Sequence, residues 1–277
     1  VGANAPNYTY GVEETTSEVT PPTVTLSATK EYDGTNALAG NDVQVFTGVT
    51  VNGGAETLGF TNATADSAHV VNLDANYITS ITLVDGVNGE LESNYELPEL
   101  NANTAAVTIT PKTLTVTVDN AGVTREYDGT RNAPDDFAPS YTLAGFIDGD
   151  TEAVLTFTDA LYNSKDVASA TTLTVSGLDI DSLTGTLGSA ATDYQVSQAN
   201  PTVAATITPK AVSLSATKVY DGTLDLSGVV AIDGLVTGES LVISAALAND
   251  ANVAAADKFI ASLTVLDGQS GLVSNYA

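Results

Sequence analysis

The stretch that decides the fold is "TLSATKEYDGT" at residues 25–35, because close copies recur as "GVTREYDGT" at 122–130 and "SLSATKVYDGT" at 213–223. The tyrosines of these three copies are separated by 95 and 93 residues (127 − 32 and 220 − 127). A fixed period of this length is the size of one small domain. The sequence therefore predicts a tandem array of three similar modules.

Two further landmarks recur in the same order. An Asn-Tyr or Asp-Tyr pair follows each first landmark, and "TITPK" ends the first two copies at 108–112 and 206–210. A β-branched run followed by proline indicates that the last strand of one module leads almost at once into the next, which predicts a stiff rod with very short linkers. The predicted divisions are residues 1–22, equivalent to the tail of a preceding repeat; 23–112, module 1; 113–210, module 2; and 211–277, module 3, which lacks its last strand.

Strand signals fill each module. Apolar residues alternate with Thr and Ser after each landmark proline, and Gly, Asp and Asn clusters separate these runs, which is typical of β-sandwiches. The Ala-rich stretch at 251–263 aligns with a strand of module 2, so we predict a strand there rather than a helix. The predicted fold class is all-β, with three tandem β-sandwich (Ig-like) modules of about 95 residues. β-Grasp-like modules are the alternative.

The charge balance excludes several classes of partner. Eight basic and 34 acidic residues give a net charge of −26, a field that repels nucleic acids and anionic membrane surfaces. The absence of cysteine excludes disulfides and thiol chemistry, and no apolar run is long enough to insert into a membrane. This composition favours a protein exposed outside a bacterial cell.

Each copy of the first landmark predicts a tight turn. The glycine of an Asp-Gly pair adopts a positive φ at no steric cost, the aspartate caps the turn, and the tyrosine supplies a buried ring with a polar tip. We therefore assign structural roles to the recurrent residues. They are Tyr32, Asp33, Gly34, Tyr127, Asp128, Gly129, Tyr220, Asp221 and Gly222, together with Tyr95, Tyr194 and Tyr276 of the second landmark.

Calcium binding is the competing interpretation of the acidic loops. A calcium site needs several carboxylates at close spacing, and the repeated motif supplies one. The better candidates are two pairs that do not recur in the other modules: Asp148 with Asp150, and Asp179 with Asp181. No other cofactor is expected.

A basic residue recurs two positions before each motif tyrosine. The simplest expectation for Lys30, Arg125 and Lys218 is an ion pair across strands. The alternative is a Lys–Asn crosslink from Lys30 or Lys218 to Asn94 or Asn275. Module 2 argues against it, because the guanidinium of Arg125 stays protonated and is not a nucleophile.

Signatures of catalysis are scarce. The single histidine, His69, has no nucleophile motif near it, and no phosphate-binding loop, dinucleotide fingerprint or zinc spacing occurs. Because function must be argued from a site, we expect the protein not to be an enzyme.

Taken together, the landmarks resemble a known type of module. The order of a basic residue before YDGT, then "NY", then "TITPK" resembles the YDG-type repeats, related to MBG repeats, of large bacterial exoproteins and filamentous-haemagglutinin-like adhesins. The resemblance covers nearly the whole chain and implies spacer modules in long surface or secreted fibres. Module 2 departs from the pattern by a five-residue insertion around Asp119–Val123 and by Asp193 in place of Asn.

Three functions are consistent with these patterns. The first is a structural component of an extracellular bacterial fibre or adhesin stalk. The alternative is a carbohydrate- or surface-binding adhesive module, with Tyr10, Tyr77, Tyr141 and Tyr162 as candidate contacts. The third is head-to-tail polymerisation, in which residues 1–20 complete module 3 of a neighbour by strand addition; a cut through a longer array gives the same pattern of ends.

Overall fold

The fold was described from a computed structural model, which covers residues 18–51, 53–70, 76–197 and 200–277. These residues form β-strands joined by turns and three short 3-10 helices, so the all-β prediction is confirmed. The chain divides into two compact units, Val1–Thr110 and Pro111–Ala277. The first unit contains module 1 as far as Thr110, and the second contains the last two residues of module 1 and all of modules 2 and 3.

The described residues of the first unit form eight strands. They are β1 (Thr25–Glu31), β2 (Ala37–Leu38), β3 (Val43–Phe46), β4 (Thr50–Val51), β5 (Gly54–Ala55), β6 (Gly59–Ala65), β7 (Ile78–Val84) and β8 (Ala105–Thr110). The sheets have the orders β3-β1-β8, β2-β6-β7 and β4-β5. β1 and β8 run parallel, with Leu26 opposite Ala105 and Lys30 opposite Ile109. Alternate residues of both strands are buried, which explains the apolar alternation of the sequence.

The second unit contains thirteen described strands. Those of module 2 are β9 (Lys112–Val118), β10 (Val123–Glu126), β11 (Tyr141–Ala144), β12 (Asp150–Thr156), β13 (Asp159–Tyr162), β14 (Thr172–Ser176), β15 (Asp179–Gly185), β16 (Tyr194–Val196) and β17 (Thr202–Thr208). Those of module 3 are β18 (Ser213–Ala216), β19 (Val230–Asp233), β20 (Leu241–Ala248) and β21 (Ile260–Asp267). The 3-10 helices, one per module, are Glu92–Asn94, Ala191–Asp193 and Val273–Asn275.

Module 2 shares with module 1 the parallel pairing of its first and closing strands, but its sheets are divided differently. Its first strand is split into β9 and β10, because the insertion predicted around Asp119–Val123 interrupts the ladder between them. β10 runs parallel to the closing strand β17, in the sheet β10-β17-β14-β13, and β9 lies in the sheet β11-β9-β16. β12 pairs antiparallel with β15 as a separate two-stranded sheet.

Module 3 contains two hairpins, β18 with β19 and β20 with β21. The strand predicted over 251–263 begins only at Ile260, and residues 251–259 form turns and loop. A turn within this stretch places Asp257 at a positive φ of 55°, which ends the extended conformation before the strand.

The finer divisions stay predictions. The parallel pairing of a first strand with a closing strand is shared by modules 1 and 2, but Ig-like sandwiches and β-grasp-like modules are not distinguished by it. Most of the predicted N-terminal division, residues 1–17, lies outside the described residues. Among the residues that the structure describes, no helix has the length and apolarity needed to span a bilayer.

Candidate functional site

The YDGT motif forms the same hydrogen-bonded turn in all three modules. In module 3, one carboxylate oxygen of Asp221 accepts hydrogen bonds from the backbone N–H and the hydroxyl of Thr223, both at 2.9 Å. Gly222 between them has a φ of 77°, a conformation that favours glycine. Asp33 and Asp128 accept the same pairs of bonds from Thr35 and Thr130.

The recurrent basic residue forms an ion pair and hydrogen bonds with residues of this turn. Lys218 Nζ lies 2.7 Å from Asp221 and donates to the carbonyl of Thr223 at 2.9 Å. Lys30 and Arg125 form ion pairs with the aspartates of their own turns in the same way. Each basic residue therefore pairs with the aspartate three positions further along the same turn, and not across strands as expected.

The ion pairs and turn bonds stabilise the charged aspartates. The hydrogen bond from Lys218, followed by those from Thr223, lowers the pKa of Asp221 to about 2. Burial raises the pKa of Asp33 and Asp128, but the hydrogen bonds from the basic residue and the threonine outweigh it, and both pKa values lie below the ordinary value.

The tyrosines of the motif differ in environment. Tyr32 and Tyr127 are each 1% exposed, whereas Tyr220 is 58% exposed. The ring of Tyr127 packs edge-on against Tyr276 of module 3, with ring centroids 5.5 Å apart. The tyrosine of one module is thus buried against the second landmark of the next, which makes this contact the best-defined candidate site in the second unit.

Glu239 is the centre of the contact between modules 2 and 3. Its carboxylate accepts hydrogen bonds from the hydroxyls of Tyr127 at 2.6 Å and Tyr276 at 2.7 Å, and Lys165 Nζ lies 3.1 Å from it. The Glu239 side chain is only 6% exposed. Burial alone raises its pKa, but the three donors outweigh burial and the pKa lies below its ordinary value.

The pKa values of Tyr127 and Tyr276 shift in the opposite direction from that of Glu239. Burial, followed by the hydrogen bond to Glu239, raises the pKa of Tyr276 to about 12. The same two causes raise the pKa of Tyr127. At neutral pH, Glu239 is therefore ionised and both tyrosines are protonated, as their hydrogen bonds require.

Asn275 adds a second link between the modules. Its side-chain carbonyl accepts the backbone N–H of Val167 at 2.9 Å, and its amide donates to Asp166 at 2.9 Å. Asn275 is completely buried. An amide offers one acceptor and two donors, so it matches a backbone N–H and a carboxylate at once.

The linker between modules 2 and 3 is one residue long. β17 ends at Thr208, and Lys210 already pairs with module 3, where its backbone N–H donates to Asn275 at 2.9 Å. Pro209 alone connects them and cannot donate a backbone hydrogen bond. The short linker predicted from "TITPK" is therefore present. The side chains that join modules 2 and 3 are called the junction network below. They are those of Tyr127, Lys165, Asp166, Glu239, Asn275 and Tyr276.

A pair in every module was missed by the sequence analysis. The tyrosine of the second landmark donates to a carboxylate in each case: Tyr95 to Glu56, Tyr194 to Asp150 at 2.7 Å, and Tyr276 to Glu239. Asp150 and Glu239 directly follow a glycine, but Glu56 follows Gly54 by two residues. The distance from the glycine varies, and the acidic residue is Glu in modules 1 and 3 but Asp in module 2, so the sequence shows no common motif.

A scan against protein-family models matches the YDG domain twice, over residues 15–105 and 110–203. The two matches together cover more than half of the chain. The chain belongs to the YDG domain family. A separate search of curated proteins gave no match. No solved structure matched either.

The calcium candidates of the second YDG module are not brought together. Asp150 is buried and accepts hydrogen bonds from Tyr194 and from Ser189, and it lies opposite Gly185 in the β12–β15 sheet. Asp179 lies opposite Thr156, at the other end of this sheet. In the part of the chain that the structure describes, no cluster of three or more His, Asp or Glu residues is arranged to hold a metal ion.

Three of the four groups named for a Lys–Asn crosslink, Lys30, Lys218 and Asn275, have other partners. Lys30 Nζ donates to the carbonyl of Ala37 at 2.8 Å, and Lys218 Nζ to that of Asp225 at 2.8 Å. The amide of Asn275 donates to Asp166. Buried Lys30 and half-buried Lys218 are therefore hydrogen-bonded without a covalent link.

The aromatic residues named for ligand recognition lie in different environments. Tyr162 is fully buried beneath Arg125, whose guanidinium lies 5.3 Å from the ring centroid. The hydroxyl of Tyr141 accepts the backbone N–H of Leu155 at 2.8 Å, Tyr77 is half-buried, and Tyr10 lies outside the described residues. His69 packs against the ring of Tyr32 at 6.0 Å between centroids.

Proposed function

We propose that this protein is a structural component of an extracellular bacterial fibre or adhesin stalk, built of tandem YDG modules as in the exoproteins that its motifs resemble. On this proposal it is not an enzyme, its work is mechanical, and its partners are further modules of the same type. The observation that supports it best is the junction network between modules 2 and 3. A linker of one residue and a buried carboxylate with three donors restrict the motion of one module against the next.

The acidity of the chain agrees with an exposed role. A net charge of −26 favours repulsion between neighbouring chains and from nucleic acids. The absence of cysteine removes the groups that react under oxidising conditions outside a cell. The sequence-based hypothesis that residues 1–20 complete module 3 of a neighbour belongs to this proposal, although residues 1–17 lie outside the described part of the chain.

The proposal is tested by the tumbling of the modules in solution. Backbone ¹⁵N relaxation of the full chain should give modules 2 and 3 one rotational correlation time. A variant with a flexible Gly-Ser-Gly-Ser insertion after Pro209 should give two, because it separates the modules without changing either core. Independent tumbling in the unmodified chain would argue against a stalk. Immunogold labelling of intact cells that produce the protein tests its location, and labelling only after permeabilisation would contradict a surface fibre.

A further inference from the structure

Two tyrosines from different modules share one carboxylate in the junction network. Tyr127 donates to Oε1 of Glu239 at 2.6 Å, and Tyr276 donates to Oε2 at 2.7 Å. Because both acceptor atoms belong to one carboxylate, the two hydroxyls lie close together, and so do the ring carbons beside them, the ortho carbons. The rings pack edge to face with their centroids 5.5 Å apart. The positions at which two phenols couple are therefore held near one another.

The surroundings of this pair restrict its motion. Tyr127 is 1% exposed and Tyr276 is 9% exposed. Two groups held in contact react by a local rearrangement and need no encounter in solution. One ring has to turn from the edge-to-face position before two ortho carbons can bond, which is a small movement compared with bringing two separate segments together. The contact thus favours a reaction between these two tyrosines.

The composition of the chain directs oxidation to tyrosine. Thiols and thioethers are the side chains that common oxidants attack first, and indole rings also lose electrons readily. The sequence contains no cysteine, methionine or tryptophan, but it contains 11 tyrosines. One-electron oxidation of this sequence therefore falls mainly on phenol rings.

Glu239 is placed to accept the proton that an oxidised tyrosine releases. A phenol that has lost one electron is a strong acid, and a carboxylate at hydrogen-bond distance takes its proton without any movement of heavy atoms. Lys165 Nζ lies 3.1 Å from Oε1 of Glu239, and its side chain is 38% exposed. This side of the site is therefore close to water, to which the proton can pass.

We propose that Tyr127 and Tyr276 form an oxidative modification site, at which a one-electron oxidant that draws on a peroxide joins their ortho carbons as dityrosine. The product is a covalent crosslink between modules 2 and 3. The inference goes beyond the proposed function, because it concerns the chemistry of the contact and does not depend on where the protein is located.

The reaction balances as a two-electron oxidation. Each tyrosine gives one electron to the oxidant and one proton, by way of Glu239, to water. The two phenoxyl radicals then form one carbon–carbon bond, and the hydrogen on each coupled carbon moves as a proton to the phenolic oxygen, which restores both hydroxyls. The oxidant passes the two electrons to the peroxide, whose oxygen–oxygen bond breaks. The protein loses two hydrogen atoms in total.

The crosslink would close a long loop in the chain. The two tyrosines are 149 positions apart (276 − 127). A covalent bond across a loop of this length restricts the unfolded chain strongly. We therefore expect the urea midpoint of the second unit to rise after oxidation.

Peptide mapping tests the site in the full chain. Dilute protein is oxidised with persulfate and a light-activated ruthenium complex, and is then digested with trypsin, which cuts after lysine and arginine. Tyr127 is the only tyrosine of the peptide Glu126–Arg131, and Tyr276 is the only one of the peptide Phe259–Ala277. The expected product is these two peptides joined with the loss of two hydrogen atoms. Its absence overturns the proposal if N-acetyltyrosine amide couples under the same conditions.

Two tyrosine variants separate this site from surface coupling. Tyr127→Phe should abolish the joined peptide, whereas Tyr220→Phe, at a tyrosine that is 58% exposed, should leave it unchanged. Oxidation that links separate chains through Tyr220 and gives no Tyr127–Tyr276 product overturns the proposal. So does an equal yield of that product from folded protein and from protein unfolded in urea, because the folded contact would then play no part.

Glu239→Gln tests the proton acceptor. Glutamine keeps the size of the side chain and can accept a hydrogen bond, but it does not take up a proton at neutral pH. The joined peptide should appear about 100-fold more slowly, the smaller effect expected on removing a positioned base. Circular dichroism establishes that the variant is folded. An unchanged rate in the folded variant overturns the assigned role of the carboxylate.

Discussion

Tyr127 of module 2 donates a hydrogen bond to Glu239 of module 3, with the two oxygen atoms 2.6 Å apart, and the two residues are 112 positions apart in the chain. Tyr276 donates to the second oxygen of the same carboxylate. A buried carboxylate is tolerated only when donors surround it. The Glu239 carboxylate keeps these donors only while modules 2 and 3 hold this relative position. The junction network therefore restricts motion about the short linker.

Removing the hydroxyl of Tyr127 should destabilise the second unit. Tyr127→Phe keeps the ring but deletes a bond to a charged acceptor, which we expect to lower the free energy of unfolding by about 2 kcal/mol. Tyr220→Phe, the matched change at the exposed tyrosine, should alter it by less than about 0.5 kcal/mol. Urea denaturation of dilute protein followed by circular dichroism measures both. Equal effects would contradict a role for the Tyr127 hydroxyl in the junction.

Alkaline pH should loosen the junction. The pKa of Tyr276 is raised to about 12, above its ordinary value of about 10. A raised tyrosine pKa means that the folded state holds the proton more tightly, so the contribution is complete below pH of about 10 and is lost as pH rises through about 12. Ionised Tyr276 can no longer donate to Glu239. The urea midpoint should fall over this window, and Tyr276→Phe should remove this part of the fall; an unchanged profile would show that the tyrosine is not coupled to folding.

Asn275 should not tolerate a negative charge. Asn275→Asp removes the donor to Asp166 and places a carboxylate beside it, at a completely buried site. We expect a loss on the order of 3 kcal/mol, the scale of an uncompensated buried charge. Asn94→Asp is the matched control, because Asn94 is the equivalent residue in module 1 and is exposed. Thermal unfolding of the two variants compares them, and similar melting temperatures would contradict the assigned role of Asn275.

The turn could be predicted from the sequence because its interactions are local. The bonds from Thr223 to Asp221 span two residues, and the positive φ of Gly222 follows from the Asp-Gly pair. The alternation after the landmark prolines likewise predicted β1 and β9 as half-buried strands. Local rules were sufficient for these features.

The junction network could not be predicted in the same way. The same YDGT motif gives a buried tyrosine at Tyr127, whose ring packs against Tyr276 of module 3, and an exposed tyrosine at Tyr220, so the motif alone does not determine burial. Glu239 has no distinctive neighbours in sequence, and its donors come from three distant segments. The Ala-rich stretch before Ile260 was wrongly assigned as strand because alignment with module 2 did not reveal its turns.

The Asp221 carboxylate in the turn of module 3 should be protonated only at very low pH. The pKa of Asp221 is lowered to about 2, first by Lys218 and then by Thr223, from an ordinary value near 4. A lowered aspartate pKa gives a contribution to stability that is complete above the unfolded value and is lost as pH falls through about 2. Lys218→Met should move the NMR titration midpoint of the Asp221 carboxyl upward. Asp225, whose pKa is also lowered, provides the internal comparison because its first cause is Ser227, and an equal shift at both would argue against a specific pair.

The glycines of two YDGT turns should differ in their tolerance of alanine. Gly129 and Gly222 have φ values of 81° and 77°, so alanine at either position is strained by about 1 kcal/mol. At Gly129 a Cβ atom would also lie 2.8 Å from Val236 of module 3, a branched side chain that moves little, whereas at Gly222 the nearest such atom is 4.0 Å away. Gly129→Ala should therefore cost about 1–3 kcal/mol more than Gly222→Ala. Because strain within the turn is common to both variants, the difference in their urea denaturation measures the junction alone, and a difference near zero would show that modules 2 and 3 separate without cost.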